Sequence, residues 1–598
     1  MSHNDNGDAR SDFASNRRLL GIALLAAVIG ALSTLAADLL LDLICLFTNL
    51  FFYGTFSLSL HSPADNKLGL WVIPIPIVGG LIIGLLARYG SERIRGHGIP
   101  EAIEAILFGK SKMSPKVAIL KPLSSGIAIG SGGPFGAEGP IIMTGGAVGS
   151  LIGQYFHISG AERKTLLVAG AVAGMTAVFG TPIAAVMLAV ELLLFELRPR
   201  SLLPVALACA VAGFLRPYFL GQGPLFPLQT AVPVAMTLLS CVIAGLVSGA
   251  LSWLLSTSLY KMEDLFQRLP VHWMWWPAIG AVAVGIGGYL QPRALGVGYD
   301  VIGDLLNGQL IGAAALALLC CKAFMWVTAL SSGTSGGVLA PLLTFGAGLG
   351  AILGVYFPGN ESSLWPLVFM AATLGGMMRA PIMAVMFAFE LTHDSNALLP
   401  LLAACGVSYG FTVLVMPRSI LTEKVARRGY HIYREYGIDP LERHSIEEVM
   451  SHEVTAIDGH MPIEEALTRF FGPDQRHRAF PVVQDGRYIG MAVRDLLTQS
   501  RAPSGGRMAE LFSMPPNAYA QRDETCRAVA TRMAVHGTER LPVVSDSNTL
   551  KLEGIIARSD LVKPFVGLFD EEHRFEAFQQ GPVASALKAL FHRGPSGG

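Results

Sequence analysis

Gly133-Pro134-Phe135-Gly136-Ala137-Glu138-Gly139-Pro140 sets a single carboxylate among glycines and prolines inside an otherwise membrane-grade stretch. An ionisable side chain at that depth is costly and therefore points to function. Pro140 suits the first turn of a helix and Ile141-Ile142-Met143 continue it, so Glu138 falls where a helix begins. Free N–H groups and the positive end of the helix dipole gather at such a start and favour an anion. A carboxylate placed there competes with any anion for the same donors, which makes Glu138 a candidate gate.

The surrounding chain reads as a polytopic, all-α membrane protein followed by a soluble region. Of 598 residues, 52% are hydrophobic and 15% charged, with a mean hydropathy of +0.49. The balance of 44 basic and 44 acidic residues argues against nucleic acid as a partner. Seven scattered cysteines show neither zinc-site nor disulfide spacing. Residues 1–18 are polar and expected to be a disordered cytoplasmic N-terminus, with Arg17 and Arg18 holding it there. The apolar run from Leu19 to Leu60 is too long for a cleaved signal and reads as a retained anchor. The membrane domain is expected over 19–430, with halves at about 19–215 and 230–425, then a linker at 431–443. The basic segment Pro417–Arg428 should face the cytoplasm, and with it the soluble region 444–566 and the tail 567–598.

The halves are duplicated. Thr181-Pro-Ile-Ala-Ala-Val-Met-Leu-Ala-Val-Glu-Leu192 and Ala380-Pro-Ile-Met-Ala-Val-Met-Phe-Ala-Phe-Glu-Leu391 share eight of twelve positions. The segments ending Gly139-Pro140 and Ala340-Pro341 lead alike into Gly-rich helices, through Gly145-Gly146 and Gly346-Ala347-Gly348. Small residues that permit close packing explain most of these glycines. The paired Gly/Pro helix starts point further, to broken helices lining a site at the repeat interface.

Three motifs in order identify a resemblance to the chloride-channel (CLC) family of anion channels and anion/proton exchangers. Gly96-His97-Gly98-Ile99-Pro100 is similar to the family's GSGIP, Gly136–Pro140 to GREGP, and Gly337-Val338-Leu339-Ala340-Pro341 to GxFxP. The resemblance spans roughly residues 19–430 and implies a homodimer with one anion pathway per subunit and an inverted-repeat fold. It further implies that the amides of Val338 and Leu339 face the anion, with Gly96, His97, Gly98, Ile99 and Gly139 around it. Glu138 is then the external gating glutamate.

This chain departs from the family pattern at several of those positions. His97 stands for the serine of the central site, and either contacts the anion or turns aside to cap a helix. Ala137 replaces an arginine. Leu421 aligns with the pore-lining tyrosine, so the central site loses a second hydroxyl. Proton-exchanging relatives carry a second glutamate where this chain has Leu192, after Glu191. Glu191 and its repeat mate Glu390 read as structural. Glu196, before Leu197-Arg198-Pro199-Arg200, reads as a cytoplasmic end paired with arginine; a proton route through Glu191 or Glu196 is the competing reading.

Residues 444–566 hold two similar α+β units that resemble a tandem CBS pair. Val449-Met450 and Met508–Leu511 should open them, and Phe480–Val483 and Leu541–Val544 should be their buried strands. Arg494-Asp495-Leu496 and Ser559-Asp560-Leu561 should begin the closing helices. Gly554–Asp560 keeps the spacing of a ribose-binding end, with Ala557 in place of the hydroxyl, so Asp560 is the candidate contact for an adenine nucleotide. The other reading is a purely structural, dimerising role, and no cofactor is required.

An enzyme would need convergent nucleophile–base or metal-ligand sets, and the membrane half has no His-Glu-x-x-His and few histidines. The expectation is therefore a gated, passive conductor of a small inorganic anion such as chloride. It would sit among lipid in a bacterial inner membrane, with its gate answering to pH or voltage. A proton-coupled exchanger of the same fold is the alternative.

Overall fold

The computed structural model describes residues 18–156, 158–358, 363–430, 440–472, 475, 477–494, 497, 506–512 and 518–565. The expected N-terminal segment, most of the linker, Asp495, Leu496 and the C-terminal tail lie outside them. The chain divides into two compact units, Met1–Glu435 and Tyr436–Gly598.

The first unit runs through α1 (Arg18–Thr48), α2 (Pro74–Tyr89), α3 (Ile99–Leu107), α4 (Pro115–Gly130), α5 (Glu138–Tyr155), α6 (Gly160–Phe179), α7 (Pro182–Leu188) and α8 (Pro199–Phe219). A second series follows: α9 (Ala235–Gln267), α10 (Trp276–Leu290), α11 (Tyr299–Leu306), α12 (Gly312–Ser331), α13 (Leu339–Leu353), α14 (Leu364–Met378), α15 (Pro381–Thr392) and α16 (Leu398–Val415), closed by α17 (Ile420–Arg427). The packing repeats with the sequence: α5 lies on α6 as α13 lies on α14, and α1 on α8 as α9 on α16. Across the repeat α2 meets α10, and α7 meets α15.

Glycine lets these pairs approach. A Cβ on Gly149 would sit 2.1 Å from the Leu166 carbonyl, and one on Gly350 would sit 2.5 Å from that of Trp365. Such small-residue contacts replace the hydrophobic drive that lipid cannot supply. Seven helices among the described residues are long and apolar enough to cross a membrane. Others are short: α7 has seven residues and α11 has eight. At the start of α7 the N–H groups of Ile183 and Ala184 find a partner in Glu390.

The second unit has two three-stranded sheets. In one, β1 (Ile457–Asp458) runs parallel to β2 (Ala479–Gln484), which pairs antiparallel with β3 (Arg487–Val493). In the other, β4 (Ala520–Gln521), β5 (Arg540–Val544) and β6 (Leu552–Ala557) repeat the arrangement. Each sheet packs on one amphipathic helix, Ile463–Phe470 in the first and Cys526–His536 in the second.

Each opening segment packs in the core of the other repeat. Ile446 and Val449 enter the core containing Cys526, Val529 and Ile556. Met508 enters the core containing Ile457 and Val482, and its N–H donates to the Met461 carbonyl at 3.0 Å. Chain order assigns a segment to the next repeat; burial of its apolar side chains assigns it to the nearest open core. The closing segment after β6 is a short 3-10 turn, Asp560–Val562.

Candidate anion pathway

Two helix starts meet at the centre of the first unit. Gly136 and Gly337 form an antiparallel bridge, with the Gly337 N–H donating to the Gly136 carbonyl at 2.9 Å and the Gly136 N–H to the Gly337 carbonyl at 3.3 Å. The bridge sets the N-terminus of α5 beside that of α13, one from each half. Glu138, the first residue of α5 and fully buried, reaches across it. Its Oε1 accepts the Leu339 N–H at 2.5 Å, at the first residue of α13. Its Oε2 has no hydrogen-bond partner among the described residues. The carboxylate thus occupies a helix-start position suited to an anion.

At Gly136 and Gly337 a side chain would collide with that carboxylate where it now lies. A Cβ on Gly136 would lie 1.8 Å from Glu138 Oε2, and one on Gly337 would lie 2.2 Å from Oε1. The third motif joins the same point. A Cβ on Gly139 would lie 1.8 Å from the His97 carbonyl oxygen and 3.2 Å from Gly337 Cα, and one on Gly98 would lie 2.4 Å from the Gly139 carbonyl. Folding therefore brings Gly96–Ile99, Gly136–Gly139 and Gly337–Leu339 together through their backbones.

The individual residues fall as follows. Gly98 has φ +93° and caps α3, a left-handed conformation for which glycine is suited. Its N–H donates to Glu101 Oε2 at 2.8 Å. His97 is buried, and its Nδ1 has no partner among the described residues, so this nitrogen caps no helix. Val338 is the residue before α13 and is buried. Leu421 is fully buried in the first turn of α17, and α17 packs on α3. Leu192 is fully buried among apolar side chains.

Glu191 accepts the N–H groups of Ile382 at 3.3 Å and Met383 at 2.8 Å, at the start of α15. Glu390 accepts those of Ile183 at 2.9 Å and Ala184 at 2.8 Å, at the start of α7. Glu196 accepts from Ser201 Oγ at 2.6 Å and lies 3.7 Å from Arg198 Nε. In the second unit Asp560 accepts the Ala557 N–H at 2.8 Å and pairs with Lys563 at 2.8 Å, so its carboxylate is engaged within its own turn.

Sequence reading passed over two buried lysines. Lys121 Nζ donates to the carbonyls of Ile94 at 2.8 Å and Gly96 at 3.0 Å. Lys322 Nζ donates to those of Ala294 at 3.3 Å, Gly296 at 3.2 Å and Val297 at 3.4 Å. Each holds a Gly-x-Gly turn before a short helix, Gly96-His97-Gly98 before α3 and Gly296-Val297-Gly298 before α11. The signal was available: a lysine within each of two apolar helices, at matching places in the repeat.

Below this turn a cavity of about 700 Å³ is lined by Arg95, Glu101, Glu104, Glu263, Lys424 and Arg428, among others. Lys424 pairs with Glu263, and Arg428 with both Glu101 and Glu104. Its charges are thus largely matched in pairs, and their exposed ends gain little from the pairing.

A multi-pass helical core with paired helix starts and a buried carboxylate between them defines an anion-transport type of membrane protein. Residues 79–413 match the family described as Voltage gated chloride channel, and the chain belongs to that family. Residues 446–498 and 509–567 match the CBS domain. The chain is 28% identical over 346 residues to a putative chloride channel protein ClcB-like of Ralstonia nicotianae, covering 56% of this chain and 81% of that one. It is 27% identical over 410 residues to the H(+)/Cl(-) exchange transporter ClcA of Salmonella arizonae, covering 64% and 84%.

Among solved structures, a slow cyanobacterial Cl-/H+ antiporter superposes with TM-score 0.59 at 21% identity, over 69% of this chain and 98% of that one. A eukaryotic CLC transporter does so with TM-score 0.56 at 17% identity, over 91% and 98%. These likenesses give the fold. The protein is a multi-pass membrane protein of a family of transporters and channels, not enzymes.

Proposed function

We propose that this protein carries a small inorganic anion, chloride or similar, across a membrane by gated conduction, with Glu138 as the gate. The observation that carries the reading is the Glu138 carboxylate on the Leu339 N–H. When the carboxylate is protonated or swings away, that amide is released to an anion. Backbone amides at helix starts attract an anion without a full cation, so it can also leave. The amides of Val338, Leu339 and Ile99, with Gly96, His97, Gly139 and Leu421 around them, are the proposed lining.

Passive movement is supported by the apolar Leu192 and by the engagement of Glu191 and Glu196 elsewhere. Proton-coupled exchange is the second reading, supported by relatives named as exchange transporters that share this core. We place the N-terminus and the CBS pair in the cytoplasm of a bacterial inner membrane, and the chain in a homodimer. Asp560 is a poor nucleotide contact while it serves its own turn, which favours a structural role for the CBS pair.

The deciding experiment is the reversal potential of protein reconstituted in liposomes, with the chloride gradient fixed and the proton gradient varied. A potential that follows chloride alone means conduction. One that shifts with the proton gradient means exchange.

A further inference from the structure

The turn at Gly96–Ile99 is held from two sides. Lys121 holds the Gly96 carbonyl from α4, and Glu101 holds the Gly98 N–H from within α3. Glu101 is itself held. Its Oε1 accepts from Arg428 Nη2 at 2.7 Å, while Glu104 Oε2 accepts from Arg428 Nη1 at 2.6 Å. One guanidinium therefore clamps two carboxylates on α3, a two-pronged geometry that a lysine cannot reproduce. The Glu101 side chain is 6% exposed and that of Arg428 36%, so the pair sits at the mouth of the cavity with its carboxylate end inside.

Arg428 caps the C-terminus of α17, about two turns after Leu421 at ~3.6 residues per turn. Two whole turns put Leu421 on the side of α17 that carries Arg428, the side gripping α3. A second clasp, Phe108 stacked on Tyr430 with ring centroids 4.4 Å apart, ties the far end of α3 to the residues after α17. The helix α17 is also tied to α9, by Lys424–Glu263 and Arg427–Asp264. The register of α17 against α3 is thus set by named polar contacts.

We propose that Arg428 is a positioning residue that, through Glu101, sets the spacing between the Gly96–Ile99 turn and Leu421, and thereby which anions pass. The proposal rests on the reading of this turn as part of an anion pathway. It assigns specificity to a residue outside the motifs. An arginine that only stabilised the fold would change the amount of active protein and scale the flux of every anion alike. A spacing residue changes the ratio between a small anion and a larger one.

The test is bi-ionic reversal potential in liposomes for chloride against thiocyanate, using wild type, Arg428→Gln, Arg428→Lys, Glu101→Gln and the double variant Glu101→Gln/Arg428→Gln. The expected result is a thiocyanate-to-chloride permeability ratio raised about threefold or more in Arg428→Gln, a size ordinary for coupled polar neighbours. Arg428→Lys should fall between, and Arg428→Gln should add little once Glu101 is neutral. The pH dependence of flux should remain in Arg428→Gln, since Glu138 is untouched. An unchanged ratio in Arg428→Gln, or effects of the two substitutions that simply add, overturns the proposal. If Arg428→Gln does not fold, an unchanged ratio in Arg428→Lys and Glu101→Gln overturns it. Absence of anion flux in the wild type would instead overturn the transport reading, and this proposal with it.

Discussion

Glu191 and Glu390 stand at the same place in the two halves and exchange partners: each accepts from the start of the short helix that precedes or holds the other. Glu191, after α7, accepts the Met383 N–H of α15 at 2.8 Å, and Glu390, within α15, accepts the Ala184 N–H of α7 at 2.8 Å. Both glutamates take donors that a short helix leaves unpaired at its start. The two halves are thereby latched by a reciprocal pair of charge-assisted hydrogen bonds, and Glu138 on Leu339 is a third carboxylate of the same kind, without a mate.

Removing either latch should loosen the fold rather than the coupling. Glu390→Ala is expected to cost about 1–3 kcal/mol, the range for a charged hydrogen-bond partner lost from a buried donor. The midpoint of unfolding in detergent should fall accordingly. Unchanged stability combined with altered proton movement in Glu191→Gln would count against the structural role.

Glu138→Gln should give constitutive anion flux with no response to pH. Protonation of the carboxylate is the step that weakens its hold on the Leu339 amide, and glutamine cannot titrate. Flux measured from pH 4 to 8 in liposomes checks this. PH-gated flux surviving in the variant would sink the gate assignment.

Gly136→Ala should expel the gate without changing its charge. The added methyl would lie 1.8 Å from Glu138 Oε2, so the carboxylate must leave the Leu339 amide. The expected outcome is anion flux at pH 7.5 close to that of Glu138→Gln. Flux as low as in the wild type, from correctly folded protein, would contradict it.

Lys322→Met should destabilise the second half. The change leaves the buried carbonyls of Ala294 and Gly296, and the part-buried one of Val297, without their common donor. An unsatisfied buried polar group costs about 1–3 kcal/mol, so the total loss should exceed that of an ordinary surface change. Thermal unfolding compared with Lys112→Met, an exposed control, reads the difference.

In the CBS pair, the Asp546 carboxyl is held down to about 2, first by the Thr549 hydroxyl and then by the N–H groups of Thr549 and Asn548. A depressed carboxyl contributes stability above its ordinary value of 3.8 and loses it as pH falls through about 2. Carboxyl titration by NMR should place the step there, and Thr549→Val should move it upward. A titration midpoint near 4 in the wild type would disprove the turn.

The sequence made much of the candidate site legible. Glu138 stood out because a charge in an apolar run is rare, and the repeat stood out because identical residues recur at a fixed offset. Lys121 and Lys322 carried the same kind of signal and were missed, since each lies in a helix with no motif around it. Arg428 offered none: in a basic segment at a membrane boundary, one arginine resembles the next. For the opening segments of the CBS repeats the packing partner was not legible, because chain order does not say which core will accept an apolar side chain.

By itself, the sequence determined the helices, their breaks, the duplication and the cost of burying Glu138, because hydropathy, periodicity and helix-start chemistry act over neighbouring residues. The tertiary structure alone decided that Glu138 lands on Leu339, that Glu191 and Glu390 cross over, and that Arg428 holds Glu101. These contacts join residues 192 to 327 positions apart. Their geometry comes from glycine-permitted backbone approach between helices, which no local pattern encodes.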